Sequence, residues 1–305
     1  MELRQLRYFV AVAEELNFSR AAERLLIAGP SLSQQIKALE RDLGLRLFDR
    51  DRRSVALTSQ GAALLPEVRE LLARSAALER RAAALSGSDP VRLGYVNWLP
   101  PDLARRTAQF AQVHVDAWVA PSHTQASRVA DGSLDIAVCW LTRDDVTRLG
   151  LRARLIGADR LYALAPGGPS DPVPAAATAV LLDADTTSWL SWNLFAKNLV
   201  RDLGARAVEI TDSGITGQAF FDHVRRSDRP IINSPKGQTT PIPPDLVRRP
   251  IVRPEVFWTW SLVSRRDEAR PEVLAVIDAL TDDMEIVPAL DVDGAWIPSI
   301  DPHAR

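Results

Sequence analysis

One amphipathic segment begins with residue types that can contact nucleic-acid bases. Serine and glutamine side chains hydrogen-bond to base edges in the major groove, whereas lysine and arginine bind phosphates. A basic cluster follows the same segment along the chain. The alternative is an ordinary helical bundle with a solvated polar face, and spacing alone does not separate the two. The candidate DNA-binding residues are Pro30, Ser31, Ser33, Gln34, Lys37, Arg50, Arg52 and Arg53.

Residues suited to catalysis form no recognisable pattern. The four histidines are scattered without the spacing of metal ligands. The sequence contains neither a Gly-x-Ser-x-Gly motif nor a glycine-rich phosphate loop. The single cysteine, Cys139, excludes an internal disulfide and ends an apolar stretch, which indicates a buried thiol. We therefore expect no enzymatic activity, no metal site and no cofactor.

Short helices and a hairpin would position the basic and polar groups. Apolar residues at helical spacing predict a first helix over about 3–16 and a short second helix over 18–25. Pro30 suits the first turn of a third helix, and residues 47–58 have the pattern of a two-stranded wing. A short helix, a tight turn and an amphipathic helix are typical of a mainly α winged helix-turn-helix, which we place at residues 1–58.

A long linker helix is predicted over 59–89. Leucine, valine, serine and alanine recur from Leu64 to Leu85 at alternating steps of four and three, the heptad spacing of a coiled coil between two chains. Pro66 removes one backbone donor, so we expect a kink or a late start there. The alternative is a helix packed on its own body. The Ser, Gly and Pro residues of 86–90 indicate a domain boundary.

Residues 1–61 resemble the winged helix-turn-helix of LysR-type transcriptional regulators. The resemblance implies a homodimer or homotetramer that binds double-stranded promoter DNA, with RNA polymerase as a further partner if the protein is an activator. Gly29 stands where the family usually has a glutamine that contacts DNA, which implies an altered operator preference. The matching stretches are 3–9, 18–25, 30–40 and 43–50, with the sequences LRQLRYF, FSRAAERL, PSLSQQIKALE and LGLRLFDR.

Strand and helix patterns alternate after residue 90. Apolar strands at 91–96, 113–119 and 134–139 are separated by helical patterns, which predicts parallel βαβ units. We predict a C-terminal α/β regulatory domain, 90–305, with two Rossmann-like lobes and a cleft between them. Lobe I would comprise about 90–160 and 264–305, and lobe II about 161–263. The family resemblance implies the same form, which is similar to periplasmic solute-binding proteins.

The cleft between the lobes is the predicted effector site. Ligands in open α/β sheets bind beyond the carboxyl ends of the strands, and the resemblance places effector contacts at the first two such loops and across the cleft. Because tryptophans fall at these edges, we expect a small-molecule effector with a ring, neutral or singly charged. Packing in the core is the alternative for each tryptophan. The candidate effector-binding residues are Asn97, Trp98, Ser122, His123, Trp140, Thr211 and Asp212.

The charge distribution favours nucleic acid at one end of the chain only. Residues 1–88 carry 14 basic and 11 acidic side chains, whereas the remaining residues carry 23 and 28. No apolar run reaches the roughly 18 residues that a membrane helix needs. The charged N-terminus is not typical of a signal peptide, so we expect a cytoplasmic protein with no membrane partner. The alternative function is a cytoplasmic solute-binding α/β protein with an incidental helical head.

Overall fold

A head, a long helix and a two-lobed body follow one another along the chain. Two clusters of buried apolar side chains form the cores, one within the head and one shared by the two lobes. Among the helices that are described, none is both long enough and apolar enough to cross a bilayer. The computed structural model describes residues 1–15, 17–18, 21–22, 25, 27–50, 55–85, 90–116, 120–212, 214–237, 240–282 and 294–304.

Two helices and a hairpin form the described part of the head. The hairpin is antiparallel, as the wing pattern predicts. Half of the predicted helix over 18–25 lies outside the described residues, and in the other half the Leu25 N–H donates to the Ala21 carbonyl at the helical i−4 spacing. The elements are α1 (Leu3–Glu15), α2 (Gly29–Leu43), β1 (Phe48–Arg50) and β2 (Val55–Leu57).

Helix α2 has a clear start and a clear stop in its sequence. Pro30 occupies its first turn, where the missing N–H costs no intrahelical hydrogen bond. Gly44 ends the helix in the left-handed conformation, with φ of 71°, and its N–H donates to the Arg41 carbonyl. Leu32, Ile36 and Leu39 are buried at helical spacing. The opposite face of α2 is therefore left to solvent.

The long helix α3 (Ser59–Leu85) continues through Pro66, so it does not begin late. Its first half packs on the head core through partly buried apolar side chains that include Leu64 and Val68. Leu71 and Leu78, one heptad apart, are 43% and 70% exposed. Single exposed leucines are ordinary, but two at this spacing leave an apolar stripe that a second chain can cover.

Lobe I begins with three parallel strands, as predicted. The first of them, β3, lies between the other two and pairs in parallel with both. The elements are β3 (Val91–Tyr95), α4 (Leu103–Thr107), β4 (Val113–Val115), α5 (Ser122–Ala130), β5 (Ile136–Cys139), α6 (Arg143–Arg148) and β6 (Leu151–Arg160). Cys139 is fully buried, and burial raises the pKa of its thiol, as expected for a core cysteine.

Lobe II has a mixed sheet in the order β10-β9-β11-β7-β12-β8. Strands β9, β10 and β11 are parallel, whereas β7 runs antiparallel to β11 and β12. The elements are β7 (Tyr162–Pro166), β8 (Val173–Pro174), β9 (Ala179–Asp183), α7 (Thr186–Leu203), β10 (Arg206–Ile210), α8 (Gly217–Arg226), β11 (Ile231–Ile232) and β12 (Leu246–Val252), with 3-10 turns at Ala175–Ala177 and Pro235–Gly237.

The chain returns to lobe I through β13 (Glu255–Arg265), followed by α9 (Pro271–Thr281) and β14 (Ala295–Trp296). Strand β13 pairs with β5, β6 and β14 of the lobe I sheet. The predicted lobe boundary at residue 263 falls within this strand. Its hydrogen bonds place all of it in the lobe I sheet, because a long strand can extend beyond the lobe boundary that composition suggests.

An ion-pair cluster fastens the end of β13 to lobe I. The fully buried carboxylate of Asp135 accepts from the Arg92 N–H at 2.8 Å and pairs with Arg270. Glu268 accepts from Arg265 and Arg270. Burial alone would raise the pKa of Glu268, but hydrogen bonds and charges from the two arginines outweigh it and lower the pKa to about 2. Glu268 therefore stabilises the fold in its ionised form.

Candidate nucleic-acid interface and ligand cavity

The outward face of α2 presents the polar residues singled out from the sequence. Pro30, Ser31, Gln34 and Lys37 are exposed, and Ser33 is half-buried. Residues three and four positions apart share a face of a helix, so Gln34 and Lys37 lie on the same side. This face can donate and accept hydrogen bonds at its start and offers a cation one turn later.

Position 29 lies at the N-terminal end of the same helix. A Cβ built on Gly29 would meet nothing within 4 Å. Its backbone φ is not in the left-handed region that favours glycine. A glutamine could therefore occupy this position without strain, and the glycine reflects no requirement of the backbone.

Two polar side chains fix the wing against α2 and α3. The Glu40 carboxylate of α2 accepts from the Leu47 and Phe48 N–H groups at 2.9 and 3.3 Å. The Thr58 hydroxyl donates to the Arg46 carbonyl at 2.8 Å and accepts from the Gly61 N–H at 2.9 Å. These contacts were not expected from the sequence, because neither residue is part of a recognition pattern. They hold the wing in one position relative to the exposed face of α2.

The basic tip of the wing lies outside the residues for which side chains are described. Strand β1 ends at Arg50, whose backbone pairs with Val55. Arg52 and Arg53 belong to the segment 51–54, which is outside the described residues altogether. Phosphate contacts from these three arginines stay a prediction.

A cavity of about 30 Å³, open to solvent, lies between the two lobes. Lobe I contributes the loops after β3 and before α5, lobe II contributes α7 and the turn after β11, and β13 contributes two indole rings. This volume holds about two water molecules, so a ring-bearing ligand requires the lobes to move apart. The lining residues are Val96, Asn97, Pro121, Ser122, Ser188, Trp189, Ser191, Trp192, Ser234, Pro235, Lys236, Trp258 and Trp260.

The lobe I residues singled out from the sequence fall into two groups. Asn97 and Ser122 line the cavity. Trp98, His123 and Trp140 are not part of its lining. Trp98 stacks on Trp260 with ring centroids 6.1 Å apart, and Trp140 is 1% exposed behind the cavity wall. The alternative reading of a tryptophan as a packing residue therefore applies to Trp140.

The lobe II residues singled out from the sequence lie elsewhere. Thr211 and Asp212 do not line the cavity, and the Asp212 carboxylate instead pairs with His223 Nε2 at 3.0 Å. Strand β10, which precedes them, is an edge strand of the lobe II sheet. The wall is formed instead by the segments that follow the inner strands β9 and β11. The strand-end rule thus points to residues after an edge strand, away from this cavity.

Aromatic rings that the sequence analysis did not assign to the site dominate the cavity wall. Among the described residues, Trp258 has four ring neighbours, with centroid distances of 5.1 Å to Trp140, 5.1 Å to Phe195, 6.0 Å to Trp260 and 6.1 Å to Trp192. Because these residues lie within a helix and a crossing strand and not at strand ends, only their number in the sequence could have indicated them.

A few polar groups face this aromatic wall. Trp258 Nε1 and Asn97 Oδ1 are buried and have no hydrogen-bond partner in the described part of the chain. Asn97 Nδ2 donates across the cleft to the Pro235 carbonyl at 3.4 Å. Lys236 Nζ lies 4.9 Å from the centroid of Trp189. A buried unsatisfied donor and acceptor cost free energy, which a ligand with the matching groups can recover.

Comparisons with known proteins agree with this architecture. A model of the bacterial regulatory helix-turn-helix proteins of the lysR family matches residues 3–62. The HTH-type transcriptional regulator IlvR of Caulobacter vibrioides is 37% identical over 188 residues, which cover 59% of this chain and 64% of that protein. The regulator TfdT of Cupriavidus pinatubonensis is 41% identical over 143 residues, 45% of this chain and 63% of that protein. The chain thus matches less than two thirds of the length of either relative.

The fold is shared with a solved regulator. The crystal structure of CbnR, a LysR family transcriptional regulator, superposes with a TM-score of 0.54 over 93% of this chain and 100% of that chain, at 22% identity. At this identity, the likeness concerns the fold. The head is thus of the bacterial helix-turn-helix class. Over residues 3–62 this class is the lysR family of bacterial regulators.

Proposed function

We propose that this chain is a cytoplasmic transcriptional regulator, without enzymatic activity, that binds promoter DNA and responds to a small molecule in the interlobe cavity. The observation that carries the proposal is the combination, in one chain, of an exposed polar helix face and a cavity walled by indoles. A ligand shifts such a two-state protein only if it binds the two states unequally. The cavity meets this condition if the lobes change their separation on binding.

The exposed face of α2 supports the DNA-binding half of the proposal. Ser31 and Gln34 are exposed near the N-terminal end of α2, the end that enters the major groove in helix-turn-helix proteins. Lys37 is exposed one turn later, where it can contact a phosphate. The exposed leucines of α3, Leu71 and Leu78, support a homodimer or homotetramer, which would place two heads on one duplex. For an activator, RNA polymerase would be a further partner.

The cavity supports an effector with a flat ring and one acceptor group, neutral or carrying a single negative charge. The indoles of Trp189 and Trp258 line the cavity and suit packing against a ring. The unpartnered Trp258 N–H can donate to a carbonyl or carboxylate oxygen, and Lys236 supplies one positive charge at the cavity wall. An aromatic monocarboxylic acid meets these requirements, whereas a multiply charged phosphate would lack counter-charges.

The DNA-binding half is tested by selecting bound fragments from random duplexes with the full-length protein. We expect enrichment of a sequence with two half-sites, and an affinity that falls as salt rises. The Lys37→Ala variant should lower the slope of log affinity against log salt by about one unit per lost contact and chain. Failure to enrich any sequence at low salt would favour the solute-binding alternative.

The effector half is tested by titration calorimetry of the full-length protein with benzoate, benzamide and cyclohexanecarboxylate. Benzoate should bind more tightly than benzamide, because only benzoate carries the charge that complements Lys236. It should also bind more tightly than cyclohexanecarboxylate, because only benzoate has a flat ring. Equal affinities for the three compounds, or no binding of any of them, would contradict the proposed ligand class.

A further inference from the structure

The C-terminal segment 294–304 contacts both lobes of the body. Its strand β14 pairs in parallel with the start of β13, where the Glu255 N–H donates to the Gly294 carbonyl at 2.7 Å. The Trp296 ring meets Phe195 of α7, in lobe II, with centroids 5.5 Å apart and near-perpendicular planes. The segment therefore links the crossing strand to the lobe II wall of the cavity.

The same segment ends on lobe I. The Arg143 N–H donates to the Ile300 carbonyl at 2.8 Å, and Arg143 Nε donates to the Asp301 carbonyl at 2.9 Å. The guanidinium of Arg143 also donates to the Ala304 carbonyl. Arg143, at the start of α6, thus donates to three backbone carbonyls of the segment.

Asp301 is the buried centre of this attachment. One carboxylate oxygen accepts from Trp140 Nε1 at 3.0 Å and from the Thr259 hydroxyl at 2.6 Å, and the other accepts from the His303 N–H at 2.9 Å. Burial raises the pKa of the Asp301 carboxyl, and these hydrogen bonds oppose the increase. Because all three partners donate, a carboxylate satisfies them together, whereas an amide would turn a donor toward one of them.

Strand β13 separates this attachment from the cavity. Successive side chains of a strand point to opposite faces, and Thr259 faces Asp301 while Trp258 and Trp260 line the cavity. Beyond Thr259, Ser261 Oγ lies 2.8 Å from His303 Nε2, on the side of the C-terminal segment. The segment therefore supports the strand that carries the aromatic wall.

Trp140 connects Asp301 to the cavity. Its N–H is held by Asp301, and its ring stacks on Trp258 with centroids 5.1 Å apart and planes inclined by 30°. We propose that Asp301 is a positioning residue for the effector cavity, which orients the Trp258 N–H through the ring of Trp140. The proposal rests on the proposed function for its effect on ligand binding, but the orientation of Trp258 can be measured without a ligand.

A close-packed aromatic cluster makes this transmission effective. Protein interiors pack as densely as organic crystals and transmit strain, so a shift of one ring displaces the rings that pack against it. Trp258 contacts Trp140, Phe195 and Trp192 at once. The affinity of the cavity for its ligand thus depends on a carboxylate that the ligand does not touch.

The test uses the indole N–H resonances of the full-length protein labelled with ¹⁵N-tryptophan, assigned by the signal that each Trp→Phe variant loses. In Asp301→Asn, we expect the resonances of both Trp140 and Trp258 to move by more than a linewidth. If this variant does not fold, Trp140→Phe replaces it, and the Trp258 resonance must move there.

Two further variants separate positioning from stability. Asp278→Asn removes an exposed carboxylate that pairs with Arg154 on lobe I and should leave both resonances in place. Thr259→Val removes the other hydrogen bond to the same Asp301 oxygen. It should lower the melting temperature but leave the Trp258 resonance unchanged, because the bond from Trp140 remains. An unmoved Trp258 resonance in Asp301→Asn, or an equal movement in Thr259→Val, would overturn the proposal.

Benzoate is the probe for the effect on binding. In the wild-type protein it should move the Trp258 resonance, and its dissociation constant should rise about fivefold in Asp301→Asn. An unchanged dissociation constant in that variant would overturn the positioning role. If benzoate leaves the wild-type spectrum unchanged, the proposed ligand class fails, whereas the proposal for Asp301 is still decided by the ligand-free Trp258 resonance.

Discussion

The exposed face of α2 and the interlobe cavity use polar side chains in opposite surroundings. Gln34 and Lys37 are solvated until a partner displaces the water, so their contribution is modest and screened by salt. Trp258 Nε1 and Asn97 Oδ1 are buried without a partner among the described residues, so each costs free energy before any ligand arrives. Variants of the helix face should therefore change binding alone, whereas variants of the cavity wall should also lower stability where they remove a satisfied group.

The largest expected effect comes from Gly61→Ala, which should destabilise the head and leave the body unchanged. An added Cβ would lie 2.2 Å from the Leu47 carbonyl oxygen. Overpacking of this kind costs about 3 kcal/mol, so the head should melt earlier and DNA binding should weaken. Calorimetry and gel-shift titration measure the two effects. Gly29→Ala is the matched control, because its Cβ meets nothing within 4 Å. Equal loss of benzoate binding would show that the cavity depends on the head.

A smaller effect on DNA binding alone is expected from Gln34→Ala. The side chain is exposed, so the folded head should keep its stability, whereas binding to a selected operator should lose about 2 kcal/mol. Binding to random DNA should change little, since base-edge contacts contribute little there. Competition gel shifts with operator and random duplexes measure the ratio. The same loss on both kinds of DNA would assign Gln34 to the phosphates.

Acid should affect the body before the head through Glu268. Its pKa is lowered from 4.5 to about 2 in the folded protein. Its stabilising contribution is therefore present above pH 4.5 and lost as the pH falls toward 2. Glu268→Gln should lower body stability by about 1 kcal/mol at pH 7, discounted for partial solvation, and flatten the acid dependence. Glu272→Gln, an exposed control, should do neither. If Glu268→Gln keeps the steep acid transition, the loss of stability in acid comes from other titratable groups.

The smallest expected effect comes from Trp258→Phe, which keeps a ring but removes the unpartnered N–H. Benzoate affinity should fall by about 1 kcal/mol, while the stability of the unliganded protein changes little because no bond within the described protein is lost. Trp192 is the informative comparison, since its N–H already donates to the Leu181 carbonyl at 2.9 Å. Trp192→Phe should therefore lower unliganded stability more than Trp258→Phe does. A larger loss of stability in Trp258→Phe than in Trp192→Phe would contradict the distinction between hydrogen-bonded and unpartnered N–H groups.

The two regions also differ in how far the sequence could predict them. The exposed face of α2 comes from a contiguous segment whose helical spacing separates Leu32 and Ile36 from Gln34 and Lys37, so local pattern sufficed. The cavity brings Asn97 together with Trp189, Pro235 and Trp258 from four distant segments. These residues come together only because of the order of the strands in the two sheets, and a local sequence pattern does not determine that order.

The position of the predicted lobe II residues outside the cavity has the same cause. Thr211 and Asp212 follow a strand that turns out to be at the edge of its sheet. The sequence shows that a strand ends there, but not whether that strand lies beside the cleft. The roles of Glu40 and Thr58 were missed for the same reason, because their hydrogen bonds join segments that only the folded head brings together.

The stacked indoles have an optical consequence. Trp98, Trp260, Trp258 and Trp140 form a continuous series with neighbouring centroids 5.1 to 6.1 Å apart. At such separations, excitation passes between rings faster than light is emitted, so the series fluoresces as one unit with low polarisation. A molecule that quenches Trp258 would then darken rings it never touches. Tryptophan emission of the unlabelled protein should therefore report cavity occupancy with an amplified signal.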